Sequence, residues 1–159
     1  TGYILVRTPK TRAFIGFADG SSHPNGPLDM KISKSYSVVG FSSLDNKPLN
    51  ESSNVLITVA GRDRNSGQTL MYLVQGDKKV EEYGSFRMGS VGGAPIIFEA
   101  VELDFSLKTS QNGDWKLIPL DLAGRPIPEK EKILKAAAGV LSGKISNKES
   151  TALNFILKK

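Results

Sequence analysis

The sequence predicts an all-β fold, an antiparallel two-sheet sandwich of immunoglobulin-like or jelly-roll-like type, with at most one short helix near residues 129–138. Two observations carry this expectation. Short runs of Val, Ile, Leu, Phe and Tyr are separated by Gly, Pro, Asn and Asp, with 16 glycines and 8 prolines in 159 residues, which is the punctuation of an antiparallel domain. The helices that would have to cover both faces of a parallel sheet are missing. Roughly eight to ten short strands and many tight turns fit a two-sheet sandwich better than a parallel α/β fold, and patterning alone leaves a barrel open. The length suits a single domain over 1–159.

The elements follow in order. Tyr3 to Arg7 reads as a first strand closed by Thr8-Pro9, and Ala13 to Phe17 as a second. Asp19 to Pro27 reads as a polar surface loop, with two prolines and two glycines. Ser35 to Ser42 carries Tyr36, Val38, Val39 and Phe41 before the Asp45-Asn46-Lys47-Pro48 turn. In Asn54 to Ala60, Val55, Ile57 and Val59 share one face and Leu56, Thr58 and Ala60 the other, which predicts a central strand covered on both sides. Gly61 to Gly67 is a charged loop, Thr69 to Val74 a further strand and Phe86 to Val91 a weak one.

Alternation is strongest from Pro95 to Leu107. Ile97, Val101, Leu103, Phe105 and Leu107 share one parity and Glu102, Asp104 and Ser106 the other, with a break expected near Glu99-Ala100. Gln111-Asn112-Gly113-Asp114 turns the chain into a return strand, Trp115 to Leu120. Glu129 to Val140 is the one stretch whose Ala, Leu, Lys and Glu favour helix. Leu141 to Ile145 and Leu153 to Leu157 close the domain.

Composition narrows the chemistry. No cysteine is present, which removes disulfides, thiolate nucleophiles and Cys-based zinc sites. The formal charge of +5 comes from scattered basic residues mixed with Glu, so no nucleic-acid partner is expected. The longest apolar stretches, such as Ala94 to Phe98, are far too short for a membrane span. The chain begins Thr1-Gly2-Tyr3 without methionine, as a processed product or an excised domain would.

Catalytic constellations are sparse. The single histidine, His23, has only Asp19 and Asp29 as nearby acidic partners and no paired-histidine spacing, so it reads as an exposed loop residue, and no metal or other cofactor is expected. Without a Gly-x-Ser-x-Gly elbow, Ser22 beside His23 makes no triad. Glu102 and Asp104, with Glu99 nearby, are of the type used in glycoside cleavage. They lie about 6–7 Å apart along a strand, which is also the spacing of any solvated sheet face. Thr1 is a candidate N-terminal nucleophile, the weaker alternative of a threonine hydrolase subunit. Sugar binding needs an aromatic plane beside hydrogen-bonding groups. Trp115 with Asn112 and Asp114, together with Tyr72 and Tyr83, are the residues of that type, against core packing for the tryptophan.

The segment Asn54 to Gly67, a strand followed by Gly61-Arg62 and then Asn65-Ser66-Gly67, resembles the non-catalytic C-terminal β-sandwich domain of large glycoside hydrolases, where a Gly-Arg turn and an Asn-Thr-Gly element follow the strand. Leu5 to Gly16 with its Thr8-Pro9 turn, Gly93 to Glu99, Leu117 to Arg125 with Leu120-Asp121 and Gly124-Arg125, and Leu141 to Leu157 are similar in the same order. The resemblance implies a secreted or cell-surface accessory domain. It would have no catalytic residues of its own and would stabilise the catalytic domain of the same polypeptide, in a carbohydrate-active enzyme. It also implies that the helical propensity after Glu129 yields to sheet packing or gives only a short connecting helix. Arg62, Arg64 and Asn65 are the residues chosen for the domain interface, since a charged loop leaving a central strand can make oriented hydrogen bonds. A carbohydrate-binding module with polysaccharide as partner is the main alternative, and an interaction or adhesion module another.

Overall fold

In the computed structural model of the chain, residues 2–72, 74–75, 78–79 and 86–159 are described. The chain divides into two compact units where the sequence predicts one domain: residues 1–61 with 100–159, and residues 62–99.

The first unit holds β1 (Tyr3–Arg7), β2 (Thr11–Phe17), β3 (Ser22–Asn25), β4 (Leu28–Ile32), β5 (Tyr36–Ser43) and β6 (Asn54–Ala60). After the second unit it resumes as β13 (Glu102–Lys108), β14 (Gly113–Leu120), β15 (Lys132–Ala137), β16 (Val140–Ser146), the single-turn α1 (Asn147–Ser150) and β17 (Asn154–Lys158). These form one antiparallel 11-stranded sheet in the order β1-β2-β5-β6-β17-β14-β15-β16-β13-β4-β3. This overturns the two-sheet sandwich. The ladder runs unbroken through all eleven strands and the sheet curls into a nearly closed barrel. A period of two reports only that one face is buried, and a barrel interior satisfies it as well as the space between two sheets.

The two ends of the sheet are joined by side chains in place of a ladder. Asn25 of β3 donates from Nδ2 to the carbonyls of Val6 and Ala13, each at 3.2 Å, and its Oδ1 accepts from Arg7 Nε at 3.1 Å. Beside it the His23 ring packs against Tyr3 and Phe14, with centroids 4.9 and 4.6 Å away. The stretch read as a polar surface loop therefore contains the seam strand, with His23 and Asn25 buried.

The core fills the barrel as the alternation requires. Val55, Ile57 and Val59 of β6 are fully buried, and β6 lies between β5 and β17 as the central strand expected. Phe41 of β5 and Phe105 of β13 meet edge-on at 5.2 Å across the interior. Val101, Leu103, Phe105 and Leu107 are buried as predicted, whereas Ile97 is 43% exposed in the second unit. The parity was right on one side of a break only, since β13 starts at Glu102.

Where at most one short helix was expected, near 129–138, the chain makes a 3-10 turn at Pro128–Lys130 and then β15. Leu134 lies opposite Trp115 and Ala136 opposite Gly113, so helix propensity of a few tenths of a kcal/mol per residue yields to the pairing of a strand edge that would otherwise be bare.

Candidate ribbon interface

The second unit is built of two-stranded segments: β7 (Asp63–Ser66) with β12 (Gly93–Phe98), β8 (Thr69–Tyr72) with β11 (Phe86–Ser90), and the short β9 (Val74–Gln75) with β10 (Lys78–Lys79). Its turn chemistry is local. Asn65-Ser66-Gly67 bends the chain with Gly67 at φ 71° and Gln68 N donating to Asn65 O at 3.1 Å. Asn65 Nδ2 donates to Val91 O at 3.1 Å. Gly92, at φ 68°, lies so close to the opposite strand that a Cβ there would sit 2.6 Å from Gln68 N, so only glycine fits.

Opposite pairs run Phe98 with Asp63, Ile97 with Arg64 and Ile96 with Asn65, then shift before Gly93 with Ser66. In the next segment Met88 faces Leu70. In these two-stranded pairings the side chains stay largely in water: Leu70 is 61% exposed, Ile96 54% and Phe98 40%. An open cleft of about 590 Å³ is lined by Arg62, Asp63, Arg64, Gln68, Leu70, Ile97, Phe98 and Glu99. At one end Arg62 grips Glu99 with both Nε and Nη2, at 2.8 and 3.2 Å. The Arg62 guanidinium holds the Glu99 carboxyl below its ordinary range, against a smaller opposing effect of burial.

Of the interface residues chosen from sequence, Arg62 and Arg64 line this cleft, and Asn65 lies opposite Ile96, its side chain spent on Val91. The apolar residues beside them were missed. Their signal was the run Ile96-Ile97-Phe98, apolar on both parities, where a half-buried strand would alternate.

Of the sugar-platform residues, only Trp115, Asn112 and Asp114 have described side chains. Trp115 is wholly buried on β14, its Nε1 donating to Gln111 O at 3.4 Å, so no face of the indole is open to a ring; it is a core anchor. Asn112 accepts from the Gly139 amide at 3.0 Å and from Lys159, and Asp114 is exposed. Tyr72 has its backbone in β8 but its side chain lies outside the described residues, as do Tyr83 and Thr1 altogether.

Nor do the acidic residues form a reactive pair. Glu102 and Asp104 face outward from β13, with Glu102 3.6 Å from Lys144, while Glu99 belongs to the ribbon. His23, expected in an exposed loop, is 5% exposed, with Nε2 3.7 Å from Asp19 Oδ1. Among the described residues no three His, Asp or Glu side chains gather as a metal site would need.

The sandwich that the resemblance presupposed is absent. Comparison with protein families, curated proteins and solved structures finds no match for this chain, so its assignment to a glycoside hydrolase is not sustained.

Proposed function

We propose that this chain is a non-catalytic accessory domain that packs, through its Arg62–Glu99 ribbon, against a neighbouring catalytic domain and stabilises it. The observation that carries the reading is the row of apolar side chains left in water on a two-stranded ribbon: Leu70, Met88, Ile96, Ile97 and Phe98 are each at least 40% exposed. An isolated two-stranded ribbon is marginal in water, and contiguous exposed apolar surface rimmed by charge marks an interaction site. A carbohydrate-active enzyme is the first partner class to test. Purified catalytic domains of that class, titrated with this chain in a calorimeter, are expected to give a saturable complex and a raised melting temperature. The Leu70→Lys, Ile97→Lys double variant should weaken the complex by more than about tenfold, a loss of some 1.4 kcal/mol. A complex of unchanged affinity with that variant, or a polysaccharide that binds the chain on its own, would overturn the reading.

A further inference from the structure

The second unit carries one open strand edge whose backbone groups can be assigned. Glu99 N donates to Arg62 O at 2.8 Å, so residues 62 and 99 form a hydrogen-bonded pair. Bonded and non-bonded pairs alternate along an antiparallel ladder. Arg64 with Ile97 is therefore the next bonded pair, and Asp63 with Phe98 and Asn65 with Ile96 are the non-bonded ones. Residues of non-bonded pairs turn their N–H and C=O groups away from the partner strand. An independent contact fits this phase: Asn65 N donates to Gln68 Oε1 at 3.2 Å and not into the ladder. That bond occupies part of the outer edge of β7. On β12 the outward groups belong to Ile96 and Phe98, and no backbone bond to either occurs outside the β7 ladder among the described residues. Pro95, which has no N–H, ends the usable edge on one side.

The side chains beside that edge select what pairs with it. Ile97 shares a face with Arg64 and lines the cleft with Leu70 and Gln68. Arg62 is neutralised by Glu99, but Arg64 makes no ion pair among the described residues. An occupant of this surface needs a carboxylate for Arg64 and apolar groups for Ile97 and Leu70.

We propose that the outer edge of β12 accepts an extended strand from a partner protein, hydrogen-bonded to the Ile96 and Phe98 backbone and carrying apolar and acidic side chains at every second position, on the face it shares with Ile97 and Arg64. The proposal rests on the accessory-domain reading and names how the partner is gripped. Main-chain bonds supply the affinity and the Arg64 and Ile97 side chains the selectivity, as in other strand-addition complexes.

The test uses the full chain and a short capped peptide of repeating Val-Thr-Glu-Thr, whose valines and glutamates share one face, titrated by calorimetry, with amide exchange followed by NMR. Saturable binding is expected, with the Ile96 and Phe98 amides becoming protected. Binding should weaken about tenfold or more when lysine replaces glutamate in the peptide or when Arg64→Glu is made, the loss of one charge-assisted contact. N-methylation of alternate peptide amides should abolish it with the wild-type chain, so the test survives a variant that folds poorly. Binding indifferent to N-methylation overturns the proposal. So does protection of Ile96 and Phe98 that grows with protein concentration alone, which would make a second copy the occupant. Absence of peptide binding overturns it too, while a complex with a catalytic domain that still depends on Leu70 and Ile97 would leave the accessory role standing.

Discussion

In β13 the side chains of Leu103, Phe105 and Leu107 alternate with polar neighbours and are at most 3% exposed, whereas in β12, a few residues earlier, Ile96, Ile97 and Phe98 follow one another and are 40–54% exposed. Both strands lie in antiparallel pairs with good local β character. The difference is closure. An eleven-stranded sheet that curls into a nearly closed barrel encloses its own apolar face, whereas among the described residues β12 pairs with β7 alone. Burial is thus a property of closure before it is a property of the residue.

The comparison breaks first, if it breaks, on stability. Trp115→Ala removes the largest buried side chain of the barrel and is expected to lower the unfolding free energy by about 3–5 kcal/mol in urea titrations. Leu70→Ala and Ile97→Ala in the ribbon should stay within about 0.5 kcal/mol. A ribbon loss equal to that of Trp115 would mean that the exposed row is structural.

The seam ranks next. Asn25→Leu withdraws the donors from Val6 O and Ala13 O and removes the acceptor of Arg7 Nε, which should cost about 2–3 kcal/mol for polar groups left unpaired. The same measurement checks it. A neutral result would mean that the ends of the sheet hold together without this latch.

Acid sensitivity follows. Partial burial raises the Asp45 carboxyl, but the Ser52 hydroxyl, the Ser53 amide and the Ser43 and Ser53 hydroxyls together hold it well below the usual carboxylate range. Because its folded value lies under the unfolded 3.8, its contribution is complete above that pH and is lost as the pH falls below it. Asp45→Asn should therefore flatten the decline in melting temperature between about pH 4 and pH 2. A decline as steep as that of the wild type would remove this carboxylate from the account. The smallest effect belongs to Arg62→Gln. Its side chain is 64% exposed and its ion pair with Glu99 lies in solvent, so the unfolding midpoint should not move measurably, while complex formation with a catalytic domain is the property to change.

Much of the barrel was legible before any coordinates. The two parities of Asn54 to Ala60 announced a central strand, Leu103, Phe105 and Leu107 announced a buried face, and Glu99-Ala100 announced a break. Closure was not legible, because it depends on Asn25 reaching Val6 and Ala13 across the fold, and no local pattern encodes that reach. His23 was misread for the same reason: its Gly- and Pro-rich neighbourhood suggests a loop, and only the packing of Tyr3 and Phe14 makes it a seam residue. Lys132 to Ala137 was misread because intrinsic preference is weak beside a ladder. Arg62 and Arg64 were chosen as charged residues leaving a strand, and both line the cleft. Ile97 was assigned to the core with the alternation that follows it, and Ile96 and Phe98 were given no role.

Native-state amide exchange on the full chain, resolved residue by residue, tests most directly the contrast between a closed barrel and an open ribbon edge. The amides of Ile57, Leu103 and Leu157, within the barrel ladder, are predicted to exchange only through global unfolding, and those of Ile96 and Phe98 to exchange at rates near those of an unfolded peptide. Protection of Ile96 and Phe98 equal to that of the barrel strands, in dilute chain without a partner, would contradict the account.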